Sequence, residues 1–154
     1  MTSAIVFRPE TIVIKSRGVL EFLSFGRWQR ICTVDLRRQA VEEATLRLTK
    51  TTTCTHSLRV FDAVDFSYVS LGSTTRDGVE YDADEYRVGL RFSSSGKVFP
   101  LAVFHGSTQT PVGMGEVVAS IFPSLWNNAP VTHEVAARSF ANRLCEILDL
   151  KLAI

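Results

Sequence analysis

Disulfide pairs, long apolar runs and a secretion signal are missing from this chain, and each absence excludes a class of protein. The three cysteines, Cys32, Cys54 and Cys145, are odd in number and lack the paired spacing of a secreted disulfide framework. No apolar run approaches the roughly 20 residues that a membrane-spanning helix needs, and the first residues lack the basic and apolar regions of a signal peptide. We therefore expect a soluble cytoplasmic protein with no transmembrane segment.

Catalytic and cofactor motifs are absent as well. The chain has no Walker loop, zinc-ribbon spacing or nucleophile elbow. Its nearest approach to a dinucleotide loop, Gly113-Met114-Gly115, lacks the third glycine and does not follow a predicted strand. Glu42 and Glu43 are adjacent, so on a strand they point to opposite faces and are unsuited to act as a catalytic carboxylate pair. The sequence predicts a non-enzymatic protein with no cofactor and no metal.

Net charge is also small. The chain has 17 Lys and Arg residues against 16 Asp and Glu, a net charge of +1, so it gives no strong signal for nucleic-acid binding. The net charge differs along the chain. The segment Arg8 to Arg59 has ten basic and five acidic residues, a net charge of +5. The segment Asp62 to Lys151 has seven basic and eleven acidic residues, a net charge of −4. A basic patch on the N-terminal half leaves an anionic lipid or ligand open as a partner.

What the sequence does contain is a succession of short β-type segments. Glu85 to Phe92 alternates apolar and polar residues, and a small-residue loop joins it to Val98 to Phe104, which predicts a hairpin. Pro100 lacks the backbone donor of a ladder, so the second strand is expected to be an edge or to carry a bulge there. Similar segments occur upstream: Ala4 to Phe7, Thr11 to Ile14, Val19 to Phe25, Ile31 to Val34, Ala44 to Leu48 and Phe66 to Leu71. Strands without intervening helices favour an antiparallel, strongly bent sheet or small barrel.

The pattern changes to a helical period near the C-terminus. Thr132 to Leu150 is predicted to be an amphipathic helix that packs on the sheet. Its apolar stripe comprises Ala136, Phe140, Leu144, Ile147 and Leu148. We expect one domain over residues 1–154 of the α+β, mainly β class, with a β-rich part at 1–106 and a helical part at 113–150.

A group of arginines around a tryptophan is the strongest candidate binding site. Arg27, Trp28 and Arg30 could clamp a phosphate or stack on a planar ligand, because guanidinium groups and an indole serve both purposes. Arg37 and Arg38 would add charge if the strands meet in a hairpin. The alternative is that Trp28 is a core or rim residue flanked by solvated arginines.

Cys54 and His56 are the only close pair suited to nucleophilic chemistry. Two residues apart, they would share one face of an extended strand. With a distant His105 or His133 they could also bind a metal, although a stable zinc site needs about three or four protein ligands. An ordinary thiol beside a surface histidine is the alternative, and a Cys/His-dependent enzyme is the least favoured function.

The order of segments resembles the bacterial pleckstrin-homology-like (PH-like) domains. The resemblance rests on Thr33 to Gln39, on a second strand ending near Leu48, and on the segment Leu58 to Tyr68, which contains Phe61-Asp62-Ala63-Val64. It implies a bent antiparallel barrel closed by the C-terminal helix. Because strands dominate the chain and no catalytic constellation occurs, we expect a non-enzymatic protein-interaction or scaffold module with this or a related small-barrel fold, whose partner is another protein or a second copy of the chain. The alternative is a domain that binds a small molecule or an anionic headgroup.

Overall fold

Two antiparallel sheets form most of the computed structural model, which describes residues 3–16, 29–47, 49–76, 79–111 and 130–154. Sheet A has five strands, each paired with the next along the chain. Its strands are β1 (Ser3–Phe7), β2 (Thr11–Ser16), β3 (Gln29–Asp35), β4 (Ala40–Arg47) and β5 (Lys50–Ser57). A short 3-10 turn at Leu58–Val60 leads from β5 into the second sheet.

Sheet B has four strands in the order β8-β7-β6-β9. The long strands β6 to β8 are antiparallel, whereas the short β9 pairs parallel to β6 after the chain has passed through helix α1. The elements are β6 (Phe61–Arg76), β7 (Val79–Phe92), β8 (Val98–Pro111), α1 (Pro130–Leu148) and β9 (Lys151–Ala153). Within the described ranges, no helix is long and apolar enough to cross a membrane.

One core is shared by the two sheets and the helix. Alternate positions of the strands are buried, such as Ile12 and Ile14 on β2 and Val88 and Leu90 on β7. This is the pattern expected when one face of each strand is packed and the other is solvated. Phe104 on β8 contributes to the same core and lies 6.1 Å from the helical Phe140, ring centre to ring centre.

Helix α1 packs on the sheets through a stripe of buried residues that contains Ala137 where Ala136 is predicted. Ala137, Phe140, Ala141 and Leu144 are buried, and Ile147 and Leu148 are half-buried. Ala136 was expected in this stripe, but it is exposed because Ala137, one position further along, faces the sheet. The helix also ends at Leu148 rather than Leu150, since Asp149 has a positive φ of 52° and β9 begins at Lys151.

The hairpin of β7 and β8 confirms the expected irregularity at Pro100. The register shifts between Val88 and Gly89, and Gly89 lies opposite Pro100. A Cβ atom on Gly89 would lie 2.5 Å from Val98 Cγ1 and 2.6 Å from the Phe99 carbonyl oxygen, so this position needs glycine.

The coarse fold class is confirmed: the chain is mainly β, with antiparallel sheets and a C-terminal helix. The strands do not join into a closed barrel in the described part of the chain. Strands β5 and β9 were not predicted. The strand predicted at Val19 to Phe25 and the helical segment predicted from 113 up to 129 lie outside the described residues.

Candidate functional site

Strand β5 forms an edge of sheet A. It pairs with β4 in an unbroken register from Ala40 opposite Ser57 to Arg47 opposite Lys50. No described strand pairs with its other side. Seven of its eight residues are exposed, and only His56 is half-buried. Among the described residues, nothing pairs with the backbone N–H and C=O groups on the side of β5 away from β4.

The composition of β5 leaves this edge unprotected. Its sequence, Lys-Thr-Thr-Thr-Cys-Thr-His-Ser, is rich in β-branched residues and has no proline. Its register with β4 has no bulge, and its one charged residue, Lys50, is at the strand's first position. Proteins usually protect an edge with charges, proline or a bulge, because a bare edge pairs with other strands. The edge of β5 is thus suited to adding a strand.

One face of β5 carries the Cys54 and His56 pair. The Cys54 Sγ atom lies 3.2 Å from His56 Nε2, which confirms that the two side chains share a face. Glu43 of β4 lies directly opposite Cys54, and Cys32 of β3 lies opposite Glu43 on its other side. Because residues opposite each other point to the same face, these side chains form one row across three strands.

Aromatic rings hold the imidazole of His56 in place. Its ring centre lies 6.3 Å from Phe61, 5.2 Å from Phe92 and 5.5 Å from Phe99, with interplanar angles between 72° and 79°. Such edge-to-face contacts are favourable for aromatic pairs. The 3-10 turn after β5 brings Phe61 next to the strand end, so local chain geometry contributes to this packing.

Arg30, one of the predicted ligand-binding residues, is already bound within the protein. Its Nε atom lies 2.6 Å from Glu43 Oε1, and its Nη2 atom donates a hydrogen bond to the Pro100 carbonyl oxygen on β8. Its guanidinium carbon lies 5.9 Å from the centre of the Phe99 ring. Since these contacts join β3 to β4 and to β8, Arg30 stabilises the packing of the two sheets.

The structure does not gather the predicted arginine patch at one place. Arg37 and Arg38 are exposed in the turn between β3 and β4, whereas Arg30 lies near the start of β3. The strand from Arg30 to Asp35, where the turn begins, spans five residue steps, or roughly 17 Å. Arg38 remains near Asp35, with Nε 3.7 Å from Oδ2. Arg27 and Trp28 lie outside the described residues.

The other two thiols are in different surroundings. Cys32 is buried, and this burial raises its thiol pKa to about 11. Partial burial also raises the pKa of the Cys145 thiol on α1. Among the residues that the structure describes, no group of three or more His, Cys, Asp or Glu side chains is placed to hold a metal ion.

Sequence reasoning missed two parts of this site. It assigned no strand to Thr49 to Thr55, although the β-branched residues of this segment are typical of a strand. It also considered Glu43 only as a partner for Glu42, whereas the register places it between two cysteines. The position of Glu43 between the two cysteines depends on the pairing of β3, β4 and β5.

The comparisons with known proteins return no match: no protein-family model, no curated protein and no solved structure is similar to this chain.

Proposed function

We propose that this protein is a non-enzymatic protein-interaction module of a PH-like type that docks other chains by strand addition along β5. The observation that carries the proposal is the exposed, regular and nearly uncharged edge of that strand. Added strands gain main-chain hydrogen bonds along such an edge, and the side chains on each face supply specificity.

The occupant is β5 of a second copy. In an antiparallel pair related by a two-fold axis near the middle of the strand, Lys50 of each copy lies at the opposite end from Lys50 of the other. The two ammonium groups therefore do not repel each other. Thr51, Thr53 and Thr55 share one face, so threonines of the two copies become cross-strand neighbours, which is a favourable pairing. Eight residues make a small interface, and we expect a reversible dimer.

The PH-like assignment is part of the same proposal. It is supported by the order of strands followed by a C-terminal helix, although the described strands do not close into a barrel. Fold alone does not determine function, so the interaction role rests on the edge of β5 and not on the resemblance.

Sedimentation velocity of the full chain over a wide concentration range tests the proposed dimer. Thr53→Lys places like charges near each other across the two-fold axis, and Thr53→Glu does the same with the opposite sign. We expect each variant alone to lose the association. An equimolar mixture of the two variants should regain it, because the pair then carries opposite charges.

Ser94→Lys is the matched control, since it adds the same charge at an exposed position in the turn between β7 and β8. It should associate like the wild type. A wild-type protein that stays monomeric at every concentration contradicts the dimer. Association that survives in both Thr53 variants would place the interface elsewhere on the surface.

An anionic-ligand domain is the second candidate, supported by the adjacent, exposed Arg37 and Arg38. Co-sedimentation with phosphatidylserine vesicles tests it. Binding that falls with added salt and with Arg37→Gln plus Arg38→Gln would support this function, because contacts between guanidinium groups and anions are screened. Equal recovery with neutral vesicles would exclude it.

A further inference from the structure

We propose that Cys54 and His56 form a thiol–disulfide exchange site that accepts a low-molecular-weight disulfide and becomes a mixed disulfide at Cys54. The inference concerns a covalent modification of the free protein. It does not depend on the docking of a strand at β5.

The Cys54 sulfur and the His56 imidazole are arranged as a nucleophile and its general base. Cys54 is exposed, so a small disulfide can reach the sulfur. His56 Nε2 lies 3.2 Å from Sγ, within reach of the thiol proton. Three phenylalanine rings pack around the imidazole of His56 and favour this orientation of the ring. A thiol next to a positioned base is the usual arrangement for sulfur nucleophiles.

The reaction balances without any further reagent. Nε2 takes the thiol proton, and the Cys54 sulfur attacks one sulfur of the small disulfide. A new S–S bond forms as the old one breaks, and the departing thiolate takes a proton from the imidazolium. Cys54 is oxidised to the mixed disulfide, and the other half of the reagent is reduced to a free thiol.

Charges around Cys54 are nearly balanced. Glu43 lies directly opposite and would oppose a negative sulfur, but the guanidinium of Arg30 is 2.6 Å from its carboxylate. The ion pair reduces the repulsion that an unpaired carboxylate would exert on the thiolate.

The thiol of Cys32, the cysteine in the same cross-strand row, is too far away to resolve the adduct. Cys32 is in the same cross-strand row, two strands away, which corresponds to roughly 9–10 Å between backbones. A disulfide needs Cα atoms within about 6.8 Å. Reduction of the mixed disulfide at Cys54 is therefore expected from an external thiol, which makes the modification reversible.

The two other cysteines provide internal controls. Burial shields Cys32 and raises its thiol pKa to about 11, so little of it is in the reactive thiolate form. Cys145 is half-buried, and its thiol pKa is also raised. Both should react more slowly than Cys54 in the folded protein.

The test is incubation of the full chain with oxidised glutathione, followed by peptide mass spectrometry at each cysteine. We expect Cys54 to acquire glutathione at least about tenfold faster than Cys145, because the thiolate fraction and access set the rate. His56→Phe keeps an aromatic ring among the phenylalanines but removes the nitrogen, and it should slow the Cys54 reaction to a similar degree. His56→Gln serves as a second variant if the first is unfolded by circular dichroism.

Equal Cys54 rates in the wild type and in both His56 variants overturn the proposal, as does faster modification of Cys145. Dilution separates the two hypotheses, because Cys54 should react at the same rate at protein concentrations at which sedimentation velocity finds only the monomer. A protein that exchanges thiols but never dimerises would refute the strand-addition function alone.

Discussion

The guanidinium of Arg30 on β3 donates a hydrogen bond to the carbonyl oxygen of Pro100 on β8, so one side chain links sheet A to sheet B. The same group pairs with Glu43 at 2.6 Å and is only 24% exposed. A charged residue in the predicted binding patch is therefore part of the packing between sheets.

Replacing Arg30 with methionine should destabilise the protein. The variant leaves the Glu43 carboxylate without its partner, and hydrogen bonds to charged groups contribute more than neutral ones, so we expect a loss of about 1–2 kcal/mol in the free energy of unfolding. Urea denaturation measures it. Arg38→Met is the control, since that side chain is 80% exposed and should change stability by less than about 0.5 kcal/mol. Equal effects in the two variants would show that Arg30 does not link the sheets.

Phe140→Ala tests how helix α1 is anchored. The Phe140 ring lies 6.1 Å from both Phe7 and Phe104, and it is buried. Its loss leaves a cavity between the helix and the strands, for which we expect about 3–5 kcal/mol of destabilisation. Asn142→Ala, on the exposed side of the helix, should be nearly neutral.

Denaturant melts of Phe140→Ala at several protein concentrations distinguish two origins of this effect. A change that is the same at every concentration identifies an intramolecular core. If the stability that Phe140 provides instead grows with protein concentration, the helix belongs to an interface between copies.

Local patterns predicted the elements that have a buried and a solvated face. The alternation of apolar and polar residues from Glu85 to Phe92 predicts β7, because alternate residues of a strand face the core and the solvent. Strand β5 lacks that signal, since both of its faces are exposed at the sheet edge. Strand β9 is only three residues long, and its partner β6 lies about 90 residues earlier, so its pairing is decided by the packing of α1 and not by local sequence.

The candidate site was predictable only in part. The spacing of Cys54 and His56 was sufficient to place both side chains on one face, because that inference needs only an extended backbone. The predicted arginine patch is not one site, because Arg30 is near the start of β3 and Arg37 is in the turn that follows the end of that strand. The cross-strand register places Glu43 next to Cys54, and a single sequence does not reveal that register.

His105 should make stability depend on pH. Partial burial lowers the pKa of His105; the Arg87 guanidinium acts in the same direction, and the Glu85 carboxylate, 3.6 Å away, opposes it. The geometry of an ion pair with Glu85 would favour the charged ring, but Arg87 also binds that carboxylate, so burial prevails. The folded protein therefore favours the neutral imidazole.

The direction of this pH dependence follows from which state, folded or unfolded, binds the proton at the higher pH. As pH falls through about 6.5, the unfolded chain gains a proton at this position before the folded chain does, so stability decreases until the lower pKa of the folded state is passed. His105→Gln removes this contribution. Urea denaturation of both proteins at about pH 8 and about pH 5 should show a smaller decrease for the variant. An equal decrease would mean that other groups produce the pH dependence.

Asp149 occupies the position after α1 that glycine usually takes. Its φ is 52°, and the Leu150 amide donates to the Cys145 carbonyl oxygen at 3.1 Å, which is the hydrogen bond of a Schellman motif. A non-glycine residue is strained in this conformation, and a carboxylate at a helix C-terminus opposes the helix dipole. Asp149→Gly should therefore stabilise the protein by about 0.5–1 kcal/mol, measured by urea denaturation.

Asp149→Asn separates the two contributions, because it removes the charge but keeps a side chain at the positive φ. We expect it to gain less than Asp149→Gly, by the part that is due to backbone strain. If the two variants are equally stable, the carboxylate and not the backbone is the source of the cost. If Asp149→Gly is less stable than the wild type, the added freedom of the unfolded chain exceeds the strain that is relieved, and the link from α1 to β9 depends on a stiff residue at this turn.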